Sequence, residues 1–312
     1  MSQFTSTAQP VETVSLPNTN ISTTRLGFGC GNLPGSKTRE EGLRLLNTAY
    51  DAGIRHFDVA WYYGFGEAES LVGEFARGKR DRITITTKFG IQPPVPDSSS
   101  FLGRLQVCAA NLGRQLVRQF SRVRRLVQRN VSNVVRTGEF DADSARERVE
   151  TSLQTLDTTY IDVLLLHGCS LKNCTPELLG FLEQMREEGK IRAYGVGTGV
   201  DETIAICANA PNFTNVVQFP NDITGLRDAR AVCEGRERAV INHGVLSKAR
   251  ALRQWFEENP DRADACNDEI GADCRDAGTL TAFLLQHALR ANPEGIILFR
   301  SESLNRIRAN VQ

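Results

Sequence analysis

His56-Phe57-Asp58-Val59-Ala60-Trp61-Tyr62-Tyr63-Gly64 starts as a short apolar strand and ends in an aromatic turn. An acid stands where the apolar stretch gives out, and a phenol follows soon after it. The pattern recurs twice: Ile83-Thr84-Ile85-Thr86-Thr87-Lys88 closes on a lysine, and Asp162-Val163-Leu164-Leu165-Leu166-His167 closes on an imidazole. An ionisable group at the end of a buried strand is costly unless it has a partner. In a parallel α/β barrel that end is where the loops carrying chemistry converge. Gathered at such a mouth, Asp58, Tyr63, Lys88 and His167 make a tuned acid. The lysine charge favours phenolate and lowers the tyrosine pKa, the carboxylate holds the lysine, and the imidazole orients a carbonyl.

Outward from these runs, strand and helix signals alternate. Buried-strand candidates are Arg25–Gly29, Arg55–Asp58, Ile83–Lys88, Ile161–His167, Ala193–Gly197, Asn215–Phe219, Ala239–Asn242 and Gly295–Phe299, eight in all. Most lack period-2 alternation, as strands covered on both faces do. Between them, Thr38 with Glu41 and Ser144 with Glu147 read as capping boxes. Thr175-Pro176 reads as an N-cap followed by a first-turn proline, and Gly53 and Gly189 sit where C-caps belong. The repeated β/α unit predicts an α/β fold, a (β/α)8 TIM barrel, which about 250 residues commonly form as one domain. The rival is a doubly wound sheet, invited by Gly27-Phe28-Gly29-Cys30-Gly31 and Gly195-Val196-Gly197-Thr198-Gly199. Neither run completes G-x-G-x-x-G with an acid about 20 residues further on.

The stretch Phe57 to Gly73, FDVAWYYGFGEAESLVG, which includes Gly66 and Glu69, resembles the active-site signature of the aldo-keto reductase family. Similarity runs from about Leu26 to Asn310, broken between Lys88 and Ser144. The resemblance implies a hairpin over Val14–Arg25 covering the barrel floor. It also implies NADP-dependent hydride transfer between nicotinamide and an aldehyde, ketone or sugar lactol, with Tyr63 as general acid and base. Arg300 and Arg306 would hold the adenosine 2′-phosphate, Ser301 would hydrogen-bond it, Asn310 would meet adenine, and Gln218 would bond the nicotinamide carboxamide. The residues themselves point the same way at the first of these places, since a strand-end arginine before a helix suits a phosphate. Two arginines there favour NADP, with NAD as the alternative. Most members carry Ser-Asn where this chain has Gly197-Thr198, so Thr198 offers the carboxamide only a hydroxyl. Trp61 and Tyr62 flank Tyr63 as candidate pocket walls, one of them packing in the core instead, and Gly168 widens the site after His167. Tyr62-Tyr63-Gly64 and Gly27-Phe28-Gly29 are most similar to the sugar 1-dehydrogenase branch. Two alternatives stand beside this reading: a non-catalytic, cofactor-sensing regulatory subunit of the same fold, and a biosynthetic reductase acting on an anionic or carrier-bound substrate.

Bulk composition sets outer bounds. Lys plus Arg and Asp plus Glu are both 37 of 312 residues, so net charge argues for no nucleic-acid partner. The eight cysteines form no C-x-x-C pair and histidines number four, which reads as reduced thiols with no metal site. No apolar run reaches membrane-spanning length and Met1 to Gln9 lacks a signal-type core, so the expected location is the cytoplasm. The expected organisation is a disordered tail over 1–13 and one barrel over 14–312 with an insertion at 95–140. Within that insertion, Phe101 to Gly138 holds eight arginines (Arg104, Arg114, Arg118, Arg122, Arg124, Arg125, Arg129 and Arg136) and no Asp, Glu or Lys. Leu105, Leu112, Leu116, Phe120, Val123 and Val127 recur at helical spacing there, predicting a basic amphipathic helix packed on the barrel rim or facing an anionic partner.

Overall fold

A computed structural model describes residues 11–35, 38–64, 66–91, 138–225, 232 and 237–311. It opens with an antiparallel hairpin, β1 (Thr13–Ser15) and β2 (Ser22–Thr24). The barrel strands follow: β3 (Leu26–Gly29), β4 (His56–Asp58), β5 (Thr84–Phe89), β6 (Ile161–His167), β7 (Ile191–Gly197), β8 (Val216–Pro220), β9 (Ala239–His243) and β10 (Ile296–Phe299). Each is parallel to its neighbours, and β10 pairs with both β9 and β3, which closes the barrel and excludes the open doubly wound sheet. All eight strand positions read from sequence are occupied, and no end shifts by more than two residues.

Two apolar layers account for the closure. Leu16 and Ile21 of the hairpin join Val163, Leu165, Ala193, Val216, Ala239, Ile241, Ile296 and Leu298 in one interior cluster, so the hairpin plugs the barrel floor. The alternate strand residues, among them Phe28, Phe57, Leu164, Leu166, Val196, Val217 and Phe219, pack outward against the helices. Both faces of every strand are covered, which is why the sequence showed continuous apolar runs rather than alternation. The outer face of β6 also carries one buried carboxylate. Asp162 is met by Arg192 Nη1 at 2.7 Å, Arg80 Nη2 at 2.8 Å and the Ile85 amide at 2.9 Å.

The helices begin and end for local reasons. Thr38 accepts from Glu41 N at 3.1 Å to start α1 (Arg39–Asp51), and α2 (Glu67–Ala76) follows the Tyr63 turn. The next helix, α3 (Ala142–Thr155), is capped by Asp141, which accepts from Ser144 N at 2.8 Å. Ser144 is therefore inside the helix and not its cap: its own amide is among the free first-turn donors, and Asp141 accepts from it. Thr175 caps α4 (Pro176–Glu187) as expected. The remaining helices are α5 (Val200–Asn209), α6 (Ala249–Glu258), α7 (Pro260–Ile270), α8 (Ala277–Ala291) and α9 (Leu304–Ala309). Gly53 and Gly189 follow α1 and α4 with positive φ.

Residues just ahead of the expected boundary at Val14 are tied to the barrel: Arg25 pairs with Glu12 at 2.6 Å and returns its amide to the Glu12 carbonyl. At the other boundary, Phe140 packs on Phe89 with ring centroids 6.0 Å apart, so the chain is back on the barrel at the end of the expected 95–140 insertion. The basic helix read at 101–137 lies outside the described residues.

Candidate active site

Strand alternation delivers the site. On each barrel strand the interior residues are those two apart from the floor cluster. Going up from His56, Thr86, Leu165, Val216, Ile241 and Leu298, the next interior positions are Asp58, Lys88, His167, Gln218, His243 and Arg300. Glycines hold the corresponding places at Gly29 and Gly197, leaving the mouth open beside β3 and β7.

Lys88 Nζ donates to Asp58 Oδ1 at 2.6 Å and to the Val59 carbonyl at 3.0 Å, with both side chains almost fully buried. Removing two ions from water is repaid only when geometry is good and remaining valences are met. Here the second carboxylate oxygen is met as well: Gln218 Nε2 donates to Asp58 Oδ2 at 2.7 Å. Burial lowers the Lys88 pKa, but the Asp58 charge, Tyr63 and the Asp58 hydrogen bond outweigh it, and the net shift is upward. The lysine stays charged.

Tyr63 reaches this pair from the turn after β4. That turn is held by Gly64, whose φ is +64° and whose absent Cβ would lie 2.6 Å from Pro34. The phenol ring stands with its centroid 5.5 Å from Lys88 Nζ and edge-to-face with His167 at 6.3 Å, and a Cβ added at Gly31 would lie 3.7 Å from it. Lys88 is the largest influence on the Tyr63 pKa and lowers it, as expected. Burial, Asp58 and Cys30 together push harder the other way, so the net shift is upward. The lysine acts in the expected direction, but burial first, and then the carboxylate that holds the lysine, keep the phenol from a net lowering. His167 is lowered to about 3, by burial first and Lys88 second, and is a neutral imidazole.

Behind the site, Glu69 of α2 is fully buried and accepts from Thr87 Oγ1 at 2.6 Å, fixing the residue before Lys88. Two groups escaped the sequence reading. Cys30, with no exposure, sits close enough to Lys88 and Tyr63 to influence both. His243 ends β9 much as His167 ends β6, within electrostatic reach of Asp58, Lys88 and Arg300. Its signal was the alternation Ala239, Ile241, His243, masked by ending the strand one residue early.

The cofactor candidates fall into three groups. Gln218 is in the mouth, but its amide nitrogen is engaged by Asp58. Thr198 gives its hydroxyl to the Cys169 carbonyl at 2.9 Å. Arg300 and Arg306 are exposed and form no ion pair among the described residues, which suits an anionic phosphate. Ser301 Oγ accepts from Ser303 N at 3.1 Å, and Asn310 ends α9. Of the two pocket aromatics, Trp61 lies under the Arg148 guanidinium at 3.7 Å and against Gly66, on the α2–α3 side. Tyr62 is half-buried.

The model of the Aldo/keto reductase family matches residues 25–312. The chain belongs to this family. A pyridoxal 4-dehydrogenase from Microbacterium luteolum is 39% identical over 338 residues, covering 95% of this chain and 91% of that protein. An L-galactose dehydrogenase from Arabidopsis thaliana is 23% identical, covering 96% of this chain and 87% of its own length. Two further curated relatives are matched over about half their own length, 48% and 52%. Among solved structures, an aldo-keto reductase from Klebsiella pneumoniae in complex with NADPH shares the fold, with a TM-score of 0.61 at 19% identity over 97% of this chain and 89% of that one. Among the described residues no helix is long and apolar enough to cross a membrane.

Proposed function

We propose that this chain is an NADP-dependent oxidoreductase that moves hydride between nicotinamide and a carbonyl or alcohol, with Tyr63 as general acid and base. The observation that carries it is a phenol beside a buried lysine that a buried carboxylate holds in place. When bound, NADP(H) supplies or accepts the hydride. The residues of the chain do the rest. Tyr63, protonated at neutral pH, gives its proton to a carbonyl oxygen as that oxygen becomes an alkoxide. Lys88 stabilises the phenolate left behind, and Asp58 keeps the ammonium there. Neutral His167 offers one N–H to hold the carbonyl oxygen in line. In the reverse direction the phenolate takes the proton back from an alcohol.

Arg300 and Arg306 fit the 2′-phosphate by their exposure and lack of acidic partners, Ser301 and Asn310 lie beside them in sequence, and Gln218 faces the nicotinamide end. The substrate class is a lactol, sugar or aldehyde. The relatives named for pyridoxal and L-galactose support that class, and the arginines of 101–137 support members bearing an anionic group.

The test is a panel of sugars, pyridoxal, aldehydes and ketones, including phosphorylated and carboxylated members, followed by nicotinamide absorbance with NADP(H) and NAD(H). Turnover with NADP(H) is expected. Arg300→Ala and Arg306→Ala should each weaken NADP about ten- to a hundredfold, the loss of a charge-assisted bond, and leave NAD nearly unchanged. Equal losses for both cofactors would misplace the phosphate site. Cofactor binding without turnover on any panel member would favour the cofactor-sensing subunit instead.

A further inference from the structure

We infer that Gln218 is a positioning residue of the proton relay as well as a cofactor contact, so that one amide ties the nicotinamide end of the site to Asp58, Lys88 and Tyr63. The inference rests on the oxidoreductase reading for its kinetic consequences and on the geometry of the free protein for its cause. Asp58 has two carboxylate oxygens and each has its own donor: Lys88 Nζ at 2.6 Å on Oδ1 and Gln218 Nε2 at 2.7 Å on Oδ2. The donors come from β5, the neighbour of Asp58's own strand β4, and from β8, across the barrel from β4, so the carboxylate is held from beside and from across the mouth. With one clamp it could rotate about its terminal torsion, which is broad and shallow. With both, the lysine has one place to stand.

A carboxylate only accepts, so the amide must turn its NH2 towards Asp58. That fixes Gln218 Oε1 as the free end. It faces Gly197, where an added Cβ would stand 3.4 Å away and where no side chain competes. Thr198, the other residue expected to meet the carboxamide, has its hydroxyl engaged by Cys169 and its amide by the Gln218 carbonyl. Gln218 therefore keeps one acceptor for a carboxamide NH2 while its donor serves the relay. The N–H dipole on Oδ2 also offsets part of the Asp58 charge, and that charge is one of the influences raising the Tyr63 pKa. Losing the bond should loosen Lys88 and unmask Asp58, and both effects make phenolate harder to form.

The closing experiment compares wild type with Gln218→Met, which keeps the length and removes the hydrogen bonds, and with Gln218→Glu, which keeps the shape and regains a donor when its carboxyl is protonated. In the holoenzyme, Gln218→Met should lower kcat about ten- to a hundredfold, the scale of a bond to a charged group. It should also move the Tyr63 limb of the kcat pH profile to higher pH. The deficit of Gln218→Glu should shrink as pH falls. A rise in the cofactor KM alone, with kcat and the pH profile unchanged, would overturn the inference and leave only the carboxamide contact. The second readout needs no turnover: the Lys88 ammonium signal in lysine-labelled NMR of the cofactor-free protein, assigned with Lys88→Met. It should shift or broaden in Gln218→Met, and an unchanged signal would overturn the inference even if the oxidoreductase reading stands. Absence of turnover in wild type would sink that reading while this signal still decides the clamp.

Discussion

At the scale of single residues, the site is a balance between desolvation and pairing. Burial works against the charge of Lys88, and the Asp58 oxygen at 2.6 Å restores it. The same lysine lowers the Tyr63 pKa, while burial and the same carboxylate raise it, and the net direction is upward. Tyr63→Phe removes the hydroxyl and keeps the ring that stands edge-to-face with His167. We expect kcat to fall about a hundred- to ten-thousandfold, the usual range for a general acid, with cofactor affinity retained. Steady-state rates and a fluorescence titration of the cofactor check both halves. A mutant turning over at the wild-type rate would mean that the proton comes from elsewhere, with His243 the next group to examine.

At the scale of elements, α2 shows how closely the scaffold sets the site. Its Glu69 grips Thr87 on one side, and its Gly73 lies against the end of α3 on the other, where an added Cβ would come within 2.7 Å of the Leu156 backbone. A backbone cannot move aside as a flexible side chain does. Gly73→Ala should therefore cost about 1–3 kcal/mol by overpacking, despite the better helix propensity of alanine. Gly180 of α4 is the control, since nothing stands within 4 Å of its added Cβ, and Gly180→Ala should be neutral or stabilising. Melting temperatures decide it: equal shifts for the two would deny the close approach. Elements of this kind were partly legible beforehand. The strand-end residues Asp58, Lys88 and His167 were readable because each interrupts an apolar run, a feature of one stretch of chain. The contact of Gln218 with Asp58 was not, because those residues are 160 positions apart and meet only once the barrel closes. The cap at Asp141 was missed for a smaller reason: Ser144 and Glu147 satisfy the same capping pattern three residues too late.

At the scale of the whole molecule, the barrel interior is apolar at the floor and polar at the mouth. The hairpin and strand aliphatics fill the floor, the ionisable groups of the mouth cap it, and Asp162 with its two arginines pairs on the other face of β6, where it alternates with interior Val163. His56 lies inside this stack, fully buried, with Thr86 Oγ1 at 3.2 Å from Nε2 and no partner for Nδ1 among the described residues. Burial, with Lys88, lowers its pKa to about 4 against the pull of Asp58 and Asp162. His167 is lowered to about 3. The unfolded chain protonates such groups near their ordinary value of 6.5, and the folded protein resists until much lower pH. Below 6.5 the unfolded state binds more protons, so stability is fully present above that pH and declines as pH falls towards 4 for His56 and towards 3 for His167. Each group contributes at most about 1.4 kcal/mol per pH unit inside its window. Urea unfolding between about pH 7.5 and 4.5 should show the decline, and His56→Gln, which cannot titrate, should flatten it whatever the mutation does to stability at neutral pH. An identical slope in the two proteins would mean that the core imidazole takes its proton without cost, and the acid sensitivity would then belong to the carboxylates of β6 and the mouth.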